Sequence, residues 1–240
     1  MTNIGGILLT ISYMALPLVL AMVLHEYAHG RVAAHYGDDT ARLAGRLTLN
    51  PLAHIDPFGT ILLPLLCLIF PTGFFIGYAK PVPVNPANLR DPRRHMAIVA
   101  AAGPGMNLLL AIASAIGLSL ILAADPTVAE SLSARGGLVP RSDLGGMVFV
   151  PLFWMCMASI QINVILMVFN LIPIPPLDGG RILMNLLPVR QAETFSRVEP
   201  YGMMIIFLLV MADPQTHLFR SLLGPFVNSL ASTIIATFAS

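Results

Sequence analysis

Long uncharged stretches separated by short charged ones organise this chain of 240 residues. Residues 1–24, 57–79, 96–124 and 144–177 contain no Asp, Glu, Lys or Arg; towards the C-terminus 201–212 is uncharged, and 218–240 carries only Arg220. A hydrocarbon core about 30 Å thick takes roughly 20 apolar residues per helix, so these are the lengths of membrane spans. The pattern predicts helices over about 5–30, 95–124 and 147–170, followed by C-terminal helices over about 197–212 and 218–238. The 57–79 stretch is interrupted by Pro64 and Pro71, each of which removes a backbone donor and disrupts a helix, and is read as a re-entrant hairpin. Weak alternation with β-type residues in Arg42–Leu49 and Phe75–Val84 adds two or three short strands, a small membrane-associated β-sheet. The expected fold is an all-α polytopic membrane protein, with residues 1–240 as a single domain.

Composition supports the membrane reading. Charged residues make up 10% of the chain and apolar ones 56%, against about 25% charged in soluble domains, which excludes a disordered chain and nearly excludes a soluble one. Thirteen Lys and Arg against twelve Asp and Glu leave no basic surplus to neutralise phosphates, so no nucleic-acid partner is expected. No Lys or Arg precedes Arg31, which argues against a cleaved signal peptide. Cys67 and Cys156 lie inside apolar runs and read as packing residues.

The positions of the charges set the sidedness. Arg31, Arg42 and Arg46 follow the first stretch, Lys80, Arg90, Arg93 and Arg94 the second, and Arg181, Arg190 and Arg197 the fourth. With 57–79 re-entrant, these ten of thirteen basic residues share one face. The positive-inside bias makes that face cytoplasmic, with the N-terminus outside, in a multi-pass protein of the cell membrane.

The first stretch ends in His25-Glu26-Tyr27-Ala28-His29. On a helix, positions i and i+4 share a face, so both imidazoles can meet one metal ion while Glu26, offset by one, acts as general base, the zincin arrangement. The competing reading is that the helix has reached the interface and these groups are simply wet. A catalytic zinc takes a third protein ligand, and the candidate is Asp178 in the segment Asn170–Arg181, where three prolines and two glycines break any helix. The plain alternative there is a Pro-rich turn with an Asp-Gly step. Re-entrance of 57–79 puts Asp178 at the same face as His25 and His29; a full crossing would put it about 30 Å away.

These segments, together with Gly45–Pro57, Ala79–Asn85 and Gly103-Pro-Gly-Met-Asn107, resemble the site-2 protease family, the intramembrane zinc metalloproteases, over most of the chain to about Gly202. The resemblance implies a three-helix catalytic core in which His25, His29 and Asp178 hold Zn2+, Glu26 as general base, and Asn170 lining the substrate cleft. It also implies transmembrane protein substrates, cut within the lipid bilayer. The chain has no room for the PDZ or CBS domains of larger members. Asn170 is expected to donate to the oxyanion or substrate backbone; Asn107 reads as a packing residue or a polar support of the cleft. The weak strands would hold an unwound substrate by β-addition. A regulatory membrane partner or a homo-oligomer is left open as a further partner. The rivals are a membrane metal-ion transporter, which would favour inverted repeats that are not seen, and a proteolytically silent interaction protein, against which His25, Glu26, His29 and Asp178 are all intact.

Overall fold

A computed structural model describes residues 4–62, 79–128, 144–217 and 221–239. The helices are α1 (Ile4–His35), α2 (Thr40–Leu43), α3 (Pro92–Ala124), α4 (Leu144–Asn170), α5 (Asp178–Leu186), α6 (Val189–Ser196), α7 (Glu199–Thr216) and α8 (Gly224–Phe238), with single helical turns at Pro51–His54, Pro57–Leu62 and Pro86–Asn88. Three of them, over Leu9–His35, Pro92–Ala124 and Gly145–Asn170, are long and apolar enough to cross a membrane. At 1.5 Å per residue they measure roughly 40–50 Å, more than the hydrocarbon thickness. Only 22%, 22% and 28% of their most apolar windows is buried inside the protein. Side chains such as Ile11, Leu16, Leu109 and Leu120 are more than half exposed, so lipid is the solvent that their apolarity matches.

The first helix runs five residues beyond the expected end. Its stop is Gly37, at φ +110°, where the Asp38 N–H donates to Ala33 O at 3.0 Å and the Gly37 N–H to Ala34 O at 3.2 Å. This is a Schellman cap, which needs a left-handed residue that glycine adopts without strain. Helix α3 opens on Pro92, and the Asp91 carboxylate accepts the Arg94 N–H at 3.2 Å, a side-chain cap followed by proline at a position whose N–H has no intrahelical use.

Among the described residues there is no strand, so the expected β-sheet is corrected. In Arg42–Leu49 the amides of Leu43, Ala44, Gly45 and Arg46 donate to Asp39, Thr40, Arg42 and Ala41, which leaves them none for a ladder. Further on, Pro81 and Pro83 lack donors, and the neighbouring amides are engaged elsewhere. Residues 75–78, and most of the segment expected to be re-entrant, lie outside the described residues.

The chain folds as two compact units, one made of Met1–Ala21 with Leu108–Ile165 and Val227–Ser240, the other of Met22–Asn107 with Leu166–Phe226. In the first, helix faces are lined by small and branched residues, Ala111 and Ala115 on α3, Ile160 and Val164 on α4, Val227, Ala231 and Ile234 on α8. The Ser114 hydroxyl donates to Ser159 Oγ at 2.7 Å, and Asn163 Nδ2 donates to Ser159 O at 2.8 Å. Small residues and interhelical hydroxyl bonds are how helices associate where lipid offers no hydrophobic drive. The second unit is irregular and rich in caps and turns.

Candidate metal centre and cleft

His25 and His29 stand one turn apart on α1 with their rings edge to face, centroids 4.7 Å apart and Nε2 atoms 3.1 Å apart. Asp178 Oδ2, from the start of α5, lies 3.2 Å from His25 Nε2 and 3.4 Å from His29 Nε2. A tetrahedral zinc with ligands at about 2.0–2.1 Å separates its ligand atoms by about 3.3 Å, and the three measured edges bracket that value. All three residues are buried, and Asp178 Oδ2 has no hydrogen-bond partner. A buried carboxylate oxygen in that state is costly unless a cation meets it. Among the described residues no other three His, Cys, Asp or Glu side chains converge in this way.

The outer ring nitrogens fix the inner ones. His29 Nδ1 is 2.7 Å from Val99 O; a carbonyl can only accept, so the proton sits on Nδ1 and Nε2 keeps its lone pair. His25 Nδ1 is 2.6 Å from Asn107 Oδ1 and is oriented by the same logic. Asn107 is fully buried and stands behind His25, on the side away from the ligand nitrogen. One turn earlier on α3, a Cβ at Gly103 would come within 2.4 Å of His29 Nε2 and 2.6 Å of His25 Nε2. The missing side chain leaves the space in which an ion would sit.

Contrary to expectation, Gly179 and Gly180 do not break a helix: they form the first turn of α5 behind Asp178, and that turn is held by backbone against backbone. A Cβ on Gly179 would meet Leu171 O at 2.2 Å, on Gly180 Pro175 N at 2.4 Å, and on Gly202 of α7 Pro175 O at 1.8 Å. Ile206, one turn further along α7, packs on Phe169, Ile172 and Leu177. Arg93 donates to the carbonyls of Asn185 and Leu187 and so satisfies orphan acceptors at the end of α5.

Glu26 Oε2 accepts the Val82 N–H at 2.8 Å. Gly30, one turn after Glu26, brings Val82 against α1: a Cβ there would be 3.0 Å from Val82 Cγ1. The loop that carries Val82 is tied down by Asp38, whose carboxylate accepts from Thr40 N (3.1 Å), Thr40 Oγ1, Asn85 N (2.7 Å) and Asn88 Nδ2 (3.0 Å). Burial opposes the charged form of Asp38, but these donors outweigh it and hold the carboxyl below its ordinary value. His25, Glu26 and Asn170 line one cavity. Asn170, the last residue of α4, donates from Nδ2 to Leu166 O at 3.0 Å.

The structure thus brings together His25, Glu26, His29 and Asp178, places Asn170 in the cavity wall, and puts Asn107 behind a histidine. The sequence reading missed Val82, Asp38 and Gly202. Pro81 and Pro83 were a usable signal for the first, since they leave Val82 as the only backbone donor between them. Comparison with known proteins agrees with this picture. Residues 13–213 match the family described as Peptidase family M50. The chain is 38% identical over 229 residues to the "Putative zinc metalloprotease YwhC" of Bacillus subtilis, covering 95% of this chain and 91% of that one. It is 28% identical over 206 residues to the "Putative zinc metalloprotease Rip2" of Mycolicibacterium smegmatis, 85% and 68% of the two chains. No solved structure matches it.

Proposed function

Because the chain belongs to peptidase family M50 and is a metalloendopeptidase with the helices of a multi-pass membrane protein, we propose that it is a zinc-dependent intramembrane endopeptidase acting on transmembrane protein substrates. The observation that carries the reading is the set of three ligand-atom separations of 3.1, 3.2 and 3.4 Å among His25, His29 and Asp178, in a chain with three membrane-length helices.

These three residues would hold zinc, which when bound supplies Lewis-acid polarisation of the scissile carbonyl and a nucleophile at neutral pH. Asn107 and Val99 keep both imidazoles in the tautomer that presents Nε2. Glu26 takes the nucleophile's proton and later gives it to the leaving amine; its Oε2 is fixed by Val82, which aims the carboxylate. Asn170 uses one amide hydrogen on Leu166 and has a second for the oxyanion or substrate backbone. The ten basic residues that flank this end of the helices favour a centre towards the cytoplasmic face, with the chain working as a single catalytic domain.

The test is a Glu26→Gln, His25→Ala and Asp178→Ala series of the full-length protein in liposomes, read by zinc stoichiometry and by cleavage of a membrane-anchored reporter. Glu26→Gln should keep one zinc and lose cleavage by about 10²–10⁴-fold; the other two should lose both. Full proteolysis by Glu26→Gln overturns the general-base role, and zinc flux without cleavage favours a transporter.

A further inference from the structure

The cavity that His25 and Glu26 line is mostly apolar. His25, Glu26 and Asn170 are its polar lining residues, and the rest of its wall is apolar, with Met22, Leu166, Phe169, Leu177, Met203 and Ile206 among it. Its volume is about 140 Å³. An apolar cavity of about 150 Å³ accepts a benzene ring, so the space fits one large apolar side chain and not a helix. Met203 and Ile206 are presented by α7, well outside the metal-binding segments. Ile206 is buried against Phe169 and Leu177, while Met203 is 44% exposed.

We propose that this cavity is a side-chain pocket for one of the two substrate residues flanking the scissile bond, and that Met203 and Ile206 are the residues that set its size preference. The assignment rests on the endopeptidase reading above. Once the backbone of an unwound substrate lies across Glu26 and Asn170, a neighbouring Leu or Phe side chain can enter the pocket and leave lipid or water for a fitted apolar wall. A Gly or Ala leaves the pocket part-filled and gains less. An acidic side chain would be desolvated in a mostly apolar cavity whose lining already holds the Glu26 carboxylate. The α7 helix therefore does two jobs through adjacent positions. Gly202 seats it on Pro175 and so against the segment that leads into Asp178, and Met203 and Ile206 wall the pocket. Selection of the cleaved sequence and placement of the third ligand are joined in one short helix.

The experiment uses the full-length protein with zinc in liposomes and a single-span reporter whose cut position is mapped. The residue on each side of the cut is then varied through Gly, Ala, Leu, Phe, Trp and Asp. The wild type should favour Leu and Phe over Gly at one of the two positions by at least about tenfold in kcat/KM, the range a filled apolar pocket gives. Met203→Trp should lower the Phe-to-Ala ratio by about tenfold or more, and Met203→Ala should raise acceptance of Trp; Ile206→Val should move the ratio the same way as Met203→Ala and by less. Met203 is exposed enough that neither change threatens the fold, and zinc stoichiometry is measured alongside. Ratios that stay constant, or rates that fall in parallel for all reporters, overturn the pocket assignment while leaving the endopeptidase reading intact. If Glu26→Gln cuts as fast as wild type, or wild type cuts no reporter, the endopeptidase reading itself fails and the pocket falls with it.

Discussion

The two units of this chain pack their helices by different means. In the unit built on Leu108–Ile165, an added atom meets only ordinary contact: a Cβ on Gly117 would rest 3.4 Å from Cys156 Sγ. In the unit that holds the candidate metal centre, Cβ atoms on Gly103, Gly179, Gly180 and Gly202 would all fall within 2.6 Å of neighbouring heavy atoms. Helices held together by small side chains tolerate adjustment, because each contact is weak and the backbone remains regular. Gly103, Gly179, Gly180 and Gly202 also lie in helices, but their missing side chains face His25 and His29 or the backbone of residues 171–175, so an added atom there displaces the histidines or the start of α5 that carries Asp178.

That contrast can be broken most directly at its glycines. Gly202→Ala puts a carbon against the Pro175 carbonyl and should move the Asp178 turn. A shift of about 1 Å in a catalytic group costs on the order of 100-fold, so reporter cleavage should fall by that factor with a matching loss of zinc, whereas Gly117→Ala should leave both unchanged. Val82→Pro removes the N–H that holds Glu26; loss of such an orienting partner costs about 10–100-fold in activity, and zinc should be retained, which separates it from the glycine effect. The Asp38 clamp predicts a pH response. Its carboxyl lies below the ordinary 3.8, so it stabilises the fold fully above that value and the contribution is lost as pH falls through the lowered one. Amide exchange at Thr40 and Asn85 should rise in that acid range, and Asp38→Asn should lack this acid component. The smallest effect belongs to the other unit: Ser114→Ala should cost about 0.6 kcal/mol of stability, measured by unfolding in mixed micelles, with cleavage unaltered.

Local spacing carried most of what could be read from the sequence. His25, Glu26 and His29 are legible because one helix sets their geometry, and the membrane helices because uncharged length is a direct measure of bilayer thickness. Asp178 stands out because three prolines and two glycines within Asn170–Arg181 interrupt an apolar run. The partners of these residues were not legible. Val82 meets Glu26 across 56 residues and Asn107 meets His25 across 82, and no local period encodes such a pairing. The expected sheet failed for a related reason: alternation in Arg42–Leu49 counts side chains, while the structure was decided by where the backbone amides go. Gly202 was passed over because its neighbour is a carbonyl in a distant turn.

One consequence of the Pro81-Val82-Pro83 sequence concerns unwanted association. An apolar segment with free amides invites another strand to pair with it and so risks templating aggregation. From Lys80 to Pro83 the backbone has two N–H groups; one donates to His54 O and the other to Glu26, and the carbonyls of Lys80 and Pro81 face Arg46. Both amides of the segment are therefore engaged and offer no donor to another strand, and one of them is the N–H that holds Glu26.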